Sequence, residues 1–245
     1  MDGELLPLLV AGVLVVALLY SSVGHAGASG YIAVMSLAGL APAEIRPTAL
    51  LLNVLVATVT SVQFRRAGHF SWSLFWPFAL LAVPLAFVGG ALDLPTRAFR
   101  ILVGLVLLAS AVNLLLRPPP DVEGEPPSRA TALLVGAGIG LFAGLTGTGG
   151  GIFLTPLLLL RRWARAKSAA AVSAPFILVN SLAGLAGFVS STRELPGVAL
   201  PLAAAVLAGG FMGSWLGSRR LPHLAIKRLL AAVLVIAGAK LVLSP

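Results

Sequence analysis

Long apolar runs separated by short polar gaps dominate the chain. Three are readable before residue 117, over 46–64, 72–92 and 97–116, and each ends in charge, proline or glycine. A run of about 18 or more nearly uncharged residues is long enough to cross the hydrocarbon core of a bilayer as a helix. The stretch that follows, RPPPDVEGEPPSR at 117–129, can neither continue a helix nor enter lipid. Beyond it the pattern returns, with spans at 167–189, 197–216 and 225–242. The prediction is an all-α integral membrane protein, with residues 1–117 a first transmembrane repeat, 118–129 a polar linker and 130–245 a second repeat.

The correspondence between halves extends to individual residues. Pro95 followed by Arg100-Ile101-Leu102 parallels Pro222 followed by Lys227-Arg228-Leu229, and Gly90 precedes Pro95 as Gly217 precedes Pro222. Each half also opens with an apolar run, a glycine-rich break and a shorter apolar run. In the first half these are 5–23, then Gly24-His25-Ala26-Gly27-Ala28-Ser29-Gly30, then 31–40. In the second they are 130–145, then Thr146-Gly147-Thr148-Gly149-Gly150-Gly151, then 152–160. Broken backbone at membrane depth survives only when it is buried in protein or lines a wet cavity. Paired interruptions at corresponding places are the sequence mark of a transporter binding site. Each repeat is therefore expected to be a glycine-broken helical hairpin followed by three transmembrane helices.

Composition agrees with a lipid environment. Of 245 residues 58% are hydrophobic and 10% charged, against about 25% charged in soluble domains. The net charge of +9 does not indicate nucleic acid, because the bases lie in the gaps between apolar runs, as cytoplasmic loops require. The absence of cysteine excludes disulfides, thiolate catalysis and sulfur-ligated metals. Asp2 and Glu4, with no base beside them, precede the first run; that is the reverse of a secretory leader, so the run is expected to be mature structure.

Loop charge bears on topology. With each broken element re-entrant, the halves are inverted and twelve of the 17 bases share one side; with each making a net crossing, the halves are parallel and eleven do. The first and third loops are poor in bases in the first half and rich in the second, which favours inversion over the parallel alternative. Both arrangements put the termini on the non-cytoplasmic side.

A helix that restarts after a break exposes its first amides, and its macrodipole acts there as about half a positive charge. Gly27, Gly30, Gly149, Gly150 and Gly151 allow close approach to that backbone, while His25, Ser29, Thr146 and Thr148 offer polar side chains beside it. With Gly24, these form the expected substrate site for a small anion. The competing reading is that the glycines serve only close helix packing. Asn53 and Asn180 are costly to bury within spans and are expected to line the path, and Arg46 and Lys167, at the starts of their spans, to attract anions at the mouths. His25 is the only titratable side chain in a break and is read as a neutral donor, with proton carriage as the alternative. Every Asp and Glu falls at a span end, in a loop or in the linker, so no carboxylate relay is expected. No catalytic motif, metal cluster or cofactor fingerprint is present, which predicts a non-enzyme without cofactors.

The segments YSSVGHAGASGYIAVMSLAG (20–39) and GLFAGLTGTGGGIFLTPLLL (140–159), the second with a glycine triplet followed by Pro156, resemble the two repeats of the TauE/SafE sulfite exporter family, also called the toluene sulfonate uptake permeases. The first motif departs from a full triplet, having Ala26, Ala28 and Ser29 between its glycines. The resemblance covers essentially the whole chain and implies a transporter of the bacterial inner membrane carrying sulfite, sulfonates or related organosulfur anions by alternating access. A passive small-anion channel is the alternative, and an enzyme acting on lipid a more distant one. The oligomeric state is left open, with a homodimer among the assemblies allowed.

Overall fold

The structure is a computed structural model that describes residues 5–22, 24–92, 95–116, 125–192, 197, 199–219 and the positions 235, 238, 239, 242 and 243. Among the described residues all regular structure is helical: α1 (Leu5–Ser22), α2 (Ala28–Leu37), α3 (Pro42–Arg66), α4 (Trp72–Ala91), α5 (Thr96–Leu116), α6 (Arg129–Thr146), α7 (Gly151–Leu160), α8 (Ala166–Thr192) and α9 (Ala199–Arg219). The predicted span at 225–242 lies outside the described residues apart from isolated positions, as does most of the predicted linker.

Local chemistry sets the ends of these helices. Pro42 occupies the first position of α3, where a missing N–H costs nothing, and Arg65 and Arg66 meet the negative end of its dipole. The proline-rich approach to α6 stops at Ser128, whose Oγ accepts the Thr131 amide at 3.2 Å. Among the described residues four helices are long and apolar enough to cross a membrane: α3, α4, α6 and α8.

The helices pack by interleaving the two halves of the chain. α4 lies along α6 and α8, α9 lies along α1 and α3, and α3 meets α8 between them. The short α2 and α7 pack on α3 and α8 respectively. Small residues let these backbones touch, which is the main source of helix affinity where lipid removes the hydrophobic drive. A Cβ at Gly136, Gly140 or Gly144 of α6 would fall 2.1 Å from the carbonyl oxygen of Phe78, Ala82 or Ala86 of α4. Gly213 of α9 stands in the same relation to the Leu18 carbonyl of α1, also at 2.1 Å. About half of the residues along α3 are buried, including Asn53 near its middle.

Candidate binding site at the paired helix breaks

The two glycine-rich segments do interrupt helices. Residues 24–27 separate α1 from α2, and 147–150 separate α6 from α7. Both breaks begin and end in the left-handed region, with φ of 83° at Gly24 and 108° at Gly27, and 77° at Gly147 and 84° at Gly150. The breaks are shorter than the sequence suggests, because Ser29 and Gly30 lie in the first turn of α2, Thr146 closes α6 and Gly151 opens α7. In α2 the first intrahelical bond runs from the Tyr31 amide to the Gly27 carbonyl at 2.9 Å. In α7, Phe153 and Leu154 donate to the Gly150 carbonyl, each at 3.1 Å. The amides of Ala28, Ser29 and Gly30, and of Gly151 and Ile152, precede those bonds and have no partner within their helices.

The breaks come together in the interior. A Cβ on Gly151 would lie 3.6 Å from His25 Cδ2, and one on Gly149 would lie 2.6 Å from Asn53 Nδ2 and 2.7 Å from Ser181 Oγ. Between them is a small cavity lined by Tyr20, His25, Ala26, Gly27, Ala28, Ser29, Asn53, Thr148, Ile152 and Ile177. It has room for about one water molecule. All these residues are buried except His25 and Ile152, which are partly so. Among the described residues no Lys, Arg, Asp or Glu lines it, so the polarity they give it comes from backbone amides and neutral side chains together with His25.

The hydrogen bonds fix what each side chain presents. Thr146 Oγ1 donates to the Phe142 carbonyl at 2.6 Å, so in the Thr146–Thr148 pair at 2.9 Å Thr148 is the donor. Thr148 Oγ1 then offers only lone pairs to the cavity. Asn53 Nδ2 donates to Ser181 Oγ at 3.3 Å, while Asn53 Oδ1, on a fully buried residue, has no partner. The Tyr20 hydroxyl and Ser29 Oγ lie 2.8 Å apart and share one proton, which leaves the other for a ligand. Tyr31 braces the first break from behind, its hydroxyl donating to the Ala26 carbonyl at 2.6 Å.

Of the residues singled out in the sequence, His25, Gly27, Ser29, Asn53 and Thr148 line the cavity, and Gly149 and Gly151 back it. Gly24 packs against Ala170 of α8, Gly30 against Val16 and Tyr20, and Gly150 against Ile139 and Phe176. Asn180 is fully buried but outside the lining; its Nδ2 donates to the Phe176 carbonyl at 2.9 Å and its Oδ1 has no partner. Tyr20, Ile152 and Ile177 line the cavity without having been anticipated. Tyr20 closes a long apolar run, and nothing in the sequence says that the chain turns back to set it against Ser29.

Arg46 requires a correction. Expected at a mouth, it is only 5% exposed and clamps helix ends. Its Nε donates to the Gly144 carbonyl at 3.0 Å, Nη1 to Leu92 at 2.9 Å, and Nη2 to Gly90 at 2.6 Å and to Gly89. Its Cζ also lies 5.7 Å from the centre of the Phe188 ring. The carbonyls left over at the C-termini of α4 and α6 supply a negative counterpart for this buried guanidinium. Lys167 is exposed near the start of α8, as a mouth residue would be.

Comparison with known proteins agrees with this architecture. The family described as sulfite exporter TauE/SafE matches residues 8–241. A protein named "Probable membrane transporter protein y4hK", from Sinorhizobium fredii, is 41% identical over 247 residues, which span 98% of this chain and 99% of that protein. No solved structure matches the chain significantly.

Proposed function

The chain belongs to the sulfite exporter TauE/SafE family, and from that premise we propose that it carries sulfite, sulfonates or related small organosulfur anions across the bacterial inner membrane by alternating access. The observation that carries this reading is the meeting of two helix N-termini, those of α2 and α7, at one buried cavity that no acidic or basic chain among the described residues lines. Each end contributes about half a positive charge, and its unbonded amides point donors at a ligand. Such a site holds an oxyanion without a buried lysine or arginine. It also releases its cargo more readily than an ion pair would, since no charged side chain is left stranded when the anion departs.

Two related repeats, inverted in the membrane, account for the structure economically. The fourth helix of each half, α4 or α9, packs on the first and third helices of the other, and the two breaks share their pattern of left-handed glycines. The spacing from Asn53 to Asn180 equals that from Gly90 to Gly217. A carrier suits the cavity better than an open channel, since space for about one water obliges the surrounding helices to move before cargo enters or leaves. Lys167 would draw anions toward the entrance, the cargo being the only partner besides lipid that the reading needs.

Purified protein in liposomes loaded with sulfite tests the proposal. The expected result is saturable flux, accelerated by sulfite or a short sulfonate on the opposite side. Flux equal to that of empty vesicles for every organosulfur anion tried overturns it, and ohmic single-channel currents would replace the carrier with a pore.

A further inference from the structure

Taking the cavity as the transport site, we infer that it selects a monoanion that still carries a hydrogen-bond donor, with hydrogen sulfite as the smallest member of the cargo class, and rejects the corresponding dianion. The first argument is charge. Two helix N-termini together supply about one positive charge, and among the described residues no Lys, Arg, Asp or Glu lines the cavity. Arg46, beside Gly147, directs its guanidinium at the carbonyls of Gly89, Gly90, Leu92 and Gly144. A monoanion is balanced; a dianion would leave a whole charge uncompensated in a medium that solvates it poorly.

The second argument is the direction of the hydrogen bonds. A fully deprotonated oxyanion only accepts. The helix amides meet that need, yet two side-chain groups at the same cavity can only accept as well. Asn53 Oδ1 is buried with no partner, one of the two N–H groups of the same amide donating to Ser181, and Thr148 has committed its proton to Thr146. A buried acceptor left unpaired costs about 1–3 kcal/mol, so the Asn53 oxygen calls for a donor on the ligand. The hydroxyl of hydrogen sulfite supplies one.

Titration calorimetry on the purified full chain separates the possibilities, using sulfite, methanesulfonate (a monoanion without a donor), hydroxymethanesulfonate (a monoanion with one) and sulfate, at pH values on both sides of the second ionisation of sulfurous acid. The titratable groups facing the site are His25 and Tyr20 in the lining, with Tyr31 behind Ala26; methanesulfonate, whose charge is constant over this range, reports on them. The inference predicts that the apparent Kd for total sulfite weakens by about tenfold per pH unit above that ionisation while the methanesulfonate Kd stays level. Hydroxymethanesulfonate should bind more tightly than methanesulfonate, and sulfate should not compete. In Asn53→Ala the advantage of the donor-bearing anions should shrink by about tenfold, the loss of one buried hydrogen bond; the pH series on the unaltered protein stands whether or not that variant folds. Sulfite affinity that is level or rises with pH, sulfate binding as tightly as sulfite, or methanesulfonate following the same pH course would each overturn the inference while leaving an anion site in place. If no anion binds at any pH, the transport-site reading falls and the inference with it.

Discussion

Asn53 of α3 and Ser181 of α8, 128 residues apart in the chain, meet through a hydrogen bond of 3.3 Å between fully buried side chains. Gly149 lies against both atoms of that bond, and its φ of 71° is one that L side chains rarely adopt. The central pair of long helices thus holds the second break in place.

Gly149→Ala is therefore expected to cost about 1–2 kcal/mol in backbone strain alone, with a further loss as the Asn53–Ser181 bond is pushed apart, and to abolish most flux. Gly138→Ala, on the same stretch of chain but with open space around it, should leave flux unchanged and melting equal or slightly raised. Thermal melts in detergent beside liposome flux check both. Equal behaviour of the two variants would mean that the break geometry is unimportant.

The clamp at Arg46 predicts a large structural effect. Arg46→Met leaves four carbonyls at the ends of α4 and α6 unpaired, at about 1–3 kcal/mol each before relaxation, and is expected to yield little folded protein. Arg46→Lys should rescue only in part, because an ammonium cannot reproduce the planar fork. Lys167→Gln should fold normally and raise KM a few-fold at low ionic strength only, as expected for screened steering. Size-exclusion profiles and KM measured at two salt concentrations distinguish these outcomes.

Helix contact predicts a third effect. In Gly140→Ala the new methyl would fall 2.1 Å from the Ala82 carbonyl, so α4 and α6 must separate, at about 1–3 kcal/mol. The melting temperature should drop while the anion specificity of the surviving folded fraction is unchanged. A specificity change would show that this interface forms part of the site.

Tyr20→Phe removes a hydroxyl that lines the cavity and bonds Ser29. The expectation is a loss of about 0.5–1.5 kcal/mol that appears in KM more than in the maximal rate. An unchanged KM would assign Tyr20 to packing.

Much of this architecture is legible in the chain. Apolar length located the helices α3, α4, α5, α8 and α9, and the glycine clusters located both breaks to within a few residues, because glycine at positive φ and an interrupted apolar run are local signals. Arg46 was misread for the opposite reason: a base at the start of a span looks like a mouth residue until α4 and α6 bring their carbonyls to it, and those lie 43 to 98 residues away. Tyr20, Ile152 and Ile177 were missed because they are ordinary members of apolar runs, made special only by the chain's return. Asn53 was recognisable by the cost of burying an amide, but which of its atoms would remain unpaired depends on Ser181 and could not be read from order alone.

In the proposed mechanism backbone amides at two helix starts act as the counter-charge for the cargo. A structure of the protein saturated with sulfite checks this at the atoms concerned. Density for the anion is expected between α2 and α7, with oxygens about 3 Å from amides among Ala28, Ser29, Gly30, Gly151 and Ile152. Sulfite bound instead against arginine or lysine side chains, with these amides untouched, would contradict it.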